Sequence, residues 1–249
     1  MYLIGDIGNT ETKCFILDKN FKKKRKIFLK TKQINKKYIN KNLHHFSSQL
    51  KKIKYVLFCS VVPSSYKTFK IYFKSKFQIK IHELKQVDTS SLIKILVNKK
   101  QIGSDRLSNA ISVSENKKNY IIVDFGTATT FDVVKKGKYL GGIIAPGVKL
   151  SLENLVNKAS LIPNIKLNKI SNIIGKNTIS SVKSGFYWGY VGLIKNILTL
   201  IIKKTKTKYN IIFTGGLANL FKSSLHYKIK LDKDVTLKGL IKVIKSQNL

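Results

Sequence analysis

Residues 120–134, YIIVDFGTATTFDVV, form the most informative stretch of the sequence. Tyr120–Asp124 is apolar up to its final carboxylate, which predicts a buried β-strand. The Gly and Thr residues of 125–130 predict a turn, and Phe131–Val134 predicts a strand that returns beside the first. Asp124 is therefore expected at the end of a strand, next to a turn rich in hydroxyl groups.

A related pattern opens the chain. Tyr2–Ile7 predicts a strand, Gly8–Thr10 a turn, and Cys14–Leu17 a second strand. In both copies an Asp is followed two residues later by a Gly, and the copies stand almost half the chain apart. Such a repeat predicts two similar lobes facing each other across a cleft. The polar stretch 115–119 marks the boundary, which gives expected domains of 1–117 and 118–249.

Composition limits the classes of function. The chain has 249 residues, 43% of them hydrophobic, so it can bury a core and is not disordered as a whole. Its 48 Lys and Arg against 12 Asp and Glu give a net charge of +36, which raises nucleic acid or an anionic membrane as partners. Only Arg25 and Arg106 carry the forked guanidinium that suits phosphate and guanine recognition. The lysines are spread over the whole chain, which favours solvated faces over a specific nucleic-acid surface, with a weak anion site at 22–26 left open.

Cysteine usage and hydropathy point to a reduced, cytoplasmic protein. Cys14 and Cys59 lie in apolar, strand-like runs without a CxxC pair, which argues against a disulfide framework or a zinc site. The first ten residues lack the basic region of a signal peptide. The longest apolar segment, Phe186–Ile202, is interrupted by Lys195 and Asn196, so no membrane span is expected.

The remaining elements follow from periodicity and from turn residues. Neither a P-loop nor a dinucleotide-binding GxGxxG motif occurs in the sequence. The expected elements are strands at Tyr55–Val62, Ile79–Leu84, Ile93–Val97 and Tyr209–Phe213, helices at Ser64–Phe73, Lys149–Leu155, Val182–Lys203 and from Gly103, and a loop at Gly141–Gly147.

Two kinds of site are suggested by the residues themselves. A turn such as Gly8–Thr10 presents backbone N–H groups and hydroxyls that can hold phosphate oxygens, although an ordinary hairpin turn has the same composition. The recurrence of the turn after Asp124 favours the phosphate site. Asp6 is suited to hold Mg²⁺ through water, because Mg²⁺ binds through one or two carboxylates plus substrate phosphates.

Residues 103–106, GSDR, open a helix, so Ser104 or Asp105 can be a capping residue. A helix start also offers free N–H groups and the positive end of the helix dipole, which suits an anionic substrate beside Arg106.

The motifs taken in order resemble those of type III pantothenate kinases, of the superfamily of actin, sugar kinases and heat-shock chaperone ATPases. The resemblance runs from residue 3 to about 220 and is most specific at residues 124–134 and 141–147. The motifs that carry it are DIGNT at 6–10, GSDR at 103–106, DFGTATTFDVV at 124–134, GGIIAPG at 141–147, GKNT at 175–178 and FTGG at 213–216.

The resemblance implies an α/β fold of two similar ribonuclease H-like lobes, as in actin-like ATPases. It implies ATP-dependent phosphorylation of pantothenate to 4′-phosphopantothenate, which opens coenzyme A biosynthesis, with Mg²⁺ and a monovalent cation, K⁺ or NH₄⁺, in a homodimer. The resemblance implies that Asp105 is the catalytic base, that Asp124 is the cation ligand and that Thr127 contacts ATP. It implies that pantothenate is contacted by Gly103, Ser104, Asp105, Arg106 and a partner subunit's Thr178. The first phosphate loop that it implies consists of Asp6, Ile7, Gly8, Asn9, Thr10, Glu11, Thr12 and Lys13.

Three positions depart from the family pattern. Lys99 replaces a Pro that usually follows Asn98, Leu96 replaces a frequent pantothenate-contacting Tyr, and Ser104 stands where Ala is common. These departures leave open a related kinase for another small alcohol. A second alternative is a basic, non-catalytic nucleic-acid-binding regulator, against which the intact Asp6, Asp105 and Asp124 and the shortage of arginine argue.

Overall fold

In a computed structural model, which describes residues 1–114 and 118–247, both strand–turn–strand repeats form antiparallel pairs inside larger sheets. The strands are β1 (Tyr2–Ile7), β2 (Glu11–Leu17), β3 (Lys23–Lys30), β4 (Tyr55–Ser60), β5 (Ile81–Glu83), β6 (Lys94–Ile95), β7 (Asn119–Phe125), β8 (Ala128–Lys135), β9 (Lys138–Pro146), β10 (Asn210–Gly215) and β11 (Ile229–Leu231). The helices are α1 (Lys36–Leu43), α2 (Ser47–Leu50), α3 (Pro63–Phe77), α4 (Ser104–Ser112), α5 (Val148–Lys158), α6 (Thr178–Thr205), α7 (Ala218–Lys222) and α8 (Val235–Ser246).

The chain divides into two units. The first comprises Met1–Asn116, Gly137–Tyr139 and Asp234–Leu249, and the second comprises Lys117–Lys136 and Leu140–Lys233. The predicted boundary at 115–119 includes residues 115–117, which lie outside the described residues. The sequence assigns the C-terminal segment to the second lobe, whereas the structure assigns it to the first unit, because α8 packs against α4 there.

The first unit contains a mixed five-stranded sheet in the order β3-β2-β1-β4-β5. β1 is antiparallel to β2 and parallel to β4, so the strand that carries Asp6 lies at the centre. Its core packs the inner sheet face against aromatic residues of α3, including Phe69 and Phe73. β6 pairs with Lys138 and Tyr139, which also belong to the first unit. The central strand β1 is held by β2 on one side and by β4 on the other.

The second unit repeats this design with the strand order β11-β10-β7-β8-β9. β7 is antiparallel to β8 and parallel to β10, so the strand that carries Asp124 has the position that β1 has in the first unit. The core of this unit lies between the sheet and α6, whose Tyr187, Ile194 and Leu198 are fully buried. The internal repeat predicted from sequence is therefore seen in the strand pairing.

One sequence expectation about elements is wrong, and one strand was not expected from the sequence. Gly141–Gly147 is expected to be a loop, but β9 continues through Pro146. Hydrogen bonding to β8 imposes the strand on Gly141 and Gly142, which have low strand propensity, and Pro146 is the last residue of the strand. The Lys-rich 22–26 run is partly strand, since β3 pairs with β2 and turns only Ile27 and Leu29 inward.

Helix α6 is longer than expected, with 28 residues from Thr178 to Thr205. By length and composition it is apolar enough to cross a membrane, a test that core helices of soluble proteins also pass. Only 28% of its most apolar 18 residues are buried within the chain. One side of α6 therefore forms the core of the second unit, and much of the rest is an uncovered apolar surface.

Candidate active site

The first predicted phosphate turn joins β1 to β2 in the first unit. The Gly8 N–H donates to the carbonyl of Glu11 at 3.1 Å, which closes the turn, and Asn9 and Thr10 at its tip are exposed. Glu11 is also exposed and lies 3.9 Å from the Lys13 ammonium. The turn therefore presents backbone and short polar side chains to the surface, as a phosphate-binding turn must.

Two residues of the predicted loop face inward. Ile7 is fully buried in the core of the first unit. Thr12 is also fully buried, and its hydroxyl lies 2.9 Å from the hydroxyl of Thr31. The side chains of Ile7 and Thr12 thus hold the hairpin to the sheet and are not available to a ligand.

Asp6 is the penultimate residue of the central strand β1 and is half-buried. It lies in register with Cys59 on the parallel strand β4, and the Cys59 thiol donates to Asp6 Oδ1 at 3.6 Å. Within residues 1–114 and 118–247 there is no group of three or more His, Cys, Asp and Glu side chains that could hold a metal alone. A single carboxylate beside an exposed turn fits Mg²⁺, which takes its other ligands from water and substrate phosphates.

The GSDR motif forms the start of α4, with Gly103 as N-cap and Asp105 in the first turn. Asp105 Oδ1 accepts a hydrogen bond from the Arg106 N–H at 2.8 Å. Burial raises the pKa of Asp105 above its ordinary value, and the Arg106 N–H and guanidinium oppose that shift only in part. The site therefore holds a carboxylate that is a stronger base than one in water.

Gly103 leaves room for this arrangement. A Cβ at this position would lie 2.6 Å from Asp105 Oδ1, closer than such atoms approach in proteins. The Asp105 side chain thus folds back over the residue that precedes α4. Ser104, between them, is almost fully buried.

Sequence reasoning missed Glu83, the last residue of β5. Its Oε1 accepts from the Ser104 hydroxyl at 2.5 Å and its Oε2 from the Lys85 N–H at 2.6 Å. Burial raises the pKa of the Cys59 thiol most, and the negative charges of Asp6, Asp105 and Glu83 raise it further. A lone Glu at a strand end belongs to no motif, so nothing in the sequence pattern distinguished it.

In the second unit, three of the predicted motifs meet at the turn after β7. Asp124 is half-buried at the end of this strand, and the Gly126 N–H closes the turn on the Ala128 carbonyl at 3.1 Å. Gly147 packs so closely on this turn that a Cβ would lie 2.0 Å from the Thr127 carbonyl oxygen. Gly215, with φ +88°, would place a Cβ 2.7 Å from Asp124 Oδ1. The glycines of GGIIAPG and FTGG therefore surround Asp124 and Thr127.

Thr178 is the first residue of α6 and is exposed. Asn177 caps the helix by accepting from the Ser180 N–H at 2.9 Å, and Ser180 Oγ accepts from the Asn177 N–H at 3.1 Å. This reciprocal capping fixes the helix start, so the Thr178 hydroxyl is presented from a rigid position.

The positions that depart from the family pattern lie in the first unit. Leu96 is 50% exposed, and its N–H donates to the Tyr139 carbonyl at 3.0 Å. Lys99 begins a short 3-10 turn that Asn98 caps by accepting from the Lys100 N–H at 3.0 Å. The turn that a Pro would stiffen is thus formed without it.

Comparison with known proteins gives a consistent result. The sequence profile of type III pantothenate kinases matches residues 2–200. A type III pantothenate kinase of Pelagibacter ubique is 57% identical over 243 residues, which cover 97% of this chain and 98% of that one.

Two solved structures are similar over nearly their whole length. One, assigned as a 2-dehydro-3-deoxygalactonokinase from Sinorhizobium meliloti, has a TM-score of 0.65 with 8% identity and covers 99% of both chains. The other, assigned to the Baf family of transcriptional activators from Campylobacter jejuni, has a TM-score of 0.60 with 20% identity and covers 99% of this chain and 100% of that one. At these identities the likeness shows the fold alone, and it confirms the expected α/β fold of the actin-like ATPase class. The profile match and the 57% identity over nearly the full length show that this chain belongs to the type III pantothenate kinase family.

Proposed function

We propose that this chain transfers the γ-phosphoryl group of ATP to the primary hydroxyl of pantothenate, the first step of coenzyme A biosynthesis, with Asp105 as the base. Family membership supports the reaction. The observation that carries the role of Asp105 is its carboxylate in the first turn of α4, with a pKa raised by burial. A base with a raised pKa is better matched to a hydroxyl proton than an ordinary aspartate.

The proposed reaction is a direct displacement at the γ-phosphorus of ATP. Asp105 orients the pantothenate hydroxyl and takes its proton as the oxygen bonds to the γ-phosphorus. The bond from that phosphorus to the bridging oxygen breaks, and ADP leaves with the electron pair. Because phosphoryl transfer depends mostly on positioning and charge neutralisation, the protein needs no covalent intermediate.

In the first unit, the turn from Asp6 to Lys13 is expected to bind the phosphates of ATP. The N–H groups at the exposed tip and the Lys13 ammonium supply positive charge. Mg²⁺, when bound, would neutralise phosphate charge, and Asp6 is the residue that would hold it through water. Burial of Ile7 and Thr12 gives the turn a rigid base.

In the second unit, we expect Thr127 to contact ATP and Asp124 to bind K⁺ or NH₄⁺. Thr127 is exposed, whereas Asp124 is half-buried beside the carbonyl groups of its own turn. A monovalent cation prefers such oxygen ligands. The close packing of Gly147 and Gly215 on this turn would hold those oxygens in place.

Pantothenate is expected to contact Gly103, Ser104, Asp105 and Arg106. The Arg106 guanidinium suits the pantothenate carboxylate, because its planar fork can bind two oxygens at once. Ser104 is almost fully buried and bonded to Glu83, so its contribution to the contact is restricted to its backbone.

A homodimer accounts for the uncovered side of α6. A groove of about 460 Å³ in the second unit has an almost wholly apolar lining, and a Cβ at Gly185 or Gly189 would meet nothing within 4 Å. Open space above glycines lets another helix approach closely. We expect a second copy of this chain to fill the groove, which would bring the α6 start and Thr178 near a neighbouring subunit. The lining residues are Pro146, Ser151, Leu155, Val182, Gly185, Phe186, Gly189, Tyr190 and Leu193.

We expect a cytoplasmic enzyme with no specific nucleic-acid partner and no membrane span. The dimer uses α6 as an interface helix, which explains its apolar surface without a bilayer. The net charge of +36 comes from lysines throughout the chain. The Campylobacter relative assigned as a transcriptional activator shares only the fold and lends that role no further support.

The reaction is tested by coupled ADP release with pantothenate, without it, and with other small primary alcohols. Pantothenate-dependent ADP release with a product of the mass of phosphopantothenate is the expected result. Stronger turnover with another alcohol would favour the related kinase, which the Leu96 and Lys99 departures permit. No turnover with any alcohol would overturn the proposal.

A further inference from the structure

The Glu83 carboxylate joins two segments of the first unit that are separate in sequence. One oxygen accepts from the Ser104 hydroxyl at 2.5 Å, and the other accepts from the Lys85 N–H at 2.6 Å. Both carboxylate oxygens therefore accept a hydrogen bond, one from the start of α4 and one from the turn that follows β5. Glu83 is itself fixed by the pairing of β5 with β4, where it lies in register with Phe58.

A second contact links the same two regions. The Lys85 ammonium donates to the Lys100 carbonyl at 2.7 Å, three residues before Gly103. The segment Glu83–Lys85 thus holds the approach to α4 at one point and its first residue at another. An unrestrained helix start can shift or fray, whereas two ties at the end of a sheet strand limit that motion.

What these ties hold is the residue next to Asp105. Ser104 is almost fully buried, so its hydroxyl has no alternative partner in water. The Asp105 carboxylate sits against Gly103, where a Cβ would lie 2.6 Å from Oδ1, and accepts from the Arg106 N–H. The local backbone therefore fixes the carboxylate relative to the first turn of α4. Any movement of that turn would move the carboxylate with it.

We propose that Glu83 is a positioning residue for Asp105, acting through its hydrogen bond to Ser104. The inference rests on the proposed role of Asp105. A base displaced by about 1 Å can lose on the order of 100-fold in rate, because general-base transfer needs hydrogen-bond distance to the reacting hydroxyl. An alanine at position 104 could not make this contact, so the tie depends on the Ser104 hydroxyl.

The test compares the steady-state kinetics of Glu83→Ala, Glu83→Gln and Ser104→Ala with those of the wild type. We expect Glu83→Ala to lower kcat by about 10- to 100-fold while the KM for ATP stays within about two-fold. Glu83→Gln keeps one oxygen to accept from Ser104, so it should retain more activity than Glu83→Ala. Adding Ser104→Ala to Glu83→Ala should cost nothing further, because the two residues act through one contact.

Asp88→Ala is the matched control. Asp88 also accepts from a backbone N–H and a serine hydroxyl, those of Ser90 at 2.9 and 3.0 Å, but it is exposed and these two bonds stay within residues 88–90. We expect its kcat to equal that of the wild type. Thermal melts of all variants identify any loss that reflects unfolding, and Glu83→Gln decides the question if Glu83→Ala does not fold.

A wild-type kcat in both Glu83→Ala and Glu83→Gln would overturn the positioning role of Glu83 and leave the proposed function standing. Losses that are additive in the double variant, or equal to the loss in Asp88→Ala, would also overturn it. A wild-type protein without activity on pantothenate would overturn both this inference and the proposed function.

Discussion

The Cys59 thiol donates a hydrogen bond to Asp6 Oδ1 at 3.6 Å, across the parallel pair β1 and β4. Burial and the neighbouring carboxylates of Asp6 and Asp105 raise the pKa of this thiol well above its ordinary value. Cys59 therefore remains a neutral donor at physiological pH and adds no negative charge beside the carboxylate proposed to hold Mg²⁺.

Both cysteines are expected to be unreactive in the folded protein. Burial raises the pKa of Cys14 to about 12, and the shift at Cys59 has the same direction, so neither thiol forms the reactive thiolate at pH 8. We expect no modification of the folded protein by Ellman's reagent at pH 8. Both thiols should react at once in guanidinium chloride. Rapid modification of the folded protein at pH 8 would contradict the packing around β1 and β4.

The helix that carries Asp105 depends on close contact with α8. A Cβ at Gly239 would lie 1.9 Å from the Ser108 carbonyl oxygen, and the Ser108 hydroxyl donates to the Thr236 carbonyl at 2.7 Å. We expect Gly239→Ala to lower the free energy of unfolding by about 1–3 kcal/mol, because α8 must move away from α4. Urea unfolding followed by circular dichroism measures this change.

Gly192→Ala is the control for that substitution. Gly192 also lies within a helix, but nothing lies within 4 Å of a Cβ built there. Alanine has a higher helix propensity than glycine, so we expect unchanged or greater stability. An equal loss of unfolding free energy in both variants would show that Gly239→Ala does not act through the contact between α4 and α8.

The proposed cation site predicts turnover that depends on K⁺ or NH₄⁺. Removing the Asp124 carboxylate should remove that dependence, so Asp124→Asn is expected to have a low rate that does not differ between Na⁺ and K⁺ buffers. Initial rates in matched chloride salts measure the effect. Equal wild-type rates in Na⁺ and K⁺ would remove Asp124 from this role.

The charge of +36 is expected to assist capture of anionic substrates rather than to bind a polymer specifically. Raising the salt concentration should increase the KM for ATP and pantothenate modestly and leave kcat nearly unchanged, because exposed charges are screened beyond about 8 Å at 0.15 M salt. Any binding to duplex DNA should be independent of sequence and should fall steeply with salt. Nanomolar retention of one DNA sequence over scrambled competitor at physiological salt would support the regulator instead.

The sequence predicts the parts of this fold in which local pattern and tertiary role agree. Residues 120–123, before Asp124, are all apolar, and their strand is central in its sheet. The apolar run predicts a buried strand, and the position in the sheet requires one. Residues 141–147 do not meet this condition, because their glycines favour a loop while pairing with the sheet extends them as β9. The Lys-rich β3 was missed for a related reason: only Ile27 and Leu29 face inward, and six exposed residues hide the strand pattern.

The candidate site shows the same division. Asp6, Asp105 and Asp124 could be identified because they are among only 12 carboxylates and stand beside turns or a helix start. Glu83 could not, because its importance comes from a contact with Ser104, 21 residues away. A contact between side chains that are far apart in the chain produces no characteristic spacing of residues that could be recognised in a single sequence.

The proposed role of Asp105 as the catalytic base is tested by the Asp105→Asn variant, assayed for transfer of the γ-phosphoryl group of ATP to pantothenate. Asparagine keeps the size of the side chain and an oxygen for the Arg106 N–H, but it cannot take a proton. We predict a loss of about 10²- to 10⁴-fold in kcat, a KM for ATP close to that of the wild type, and a melting temperature no lower than that of the wild type, because the burial cost of a charge is removed. Wild-type turnover by Asp105→Asn would show that Asp105 is not the base and leave it as a residue that only stabilises the start of α4.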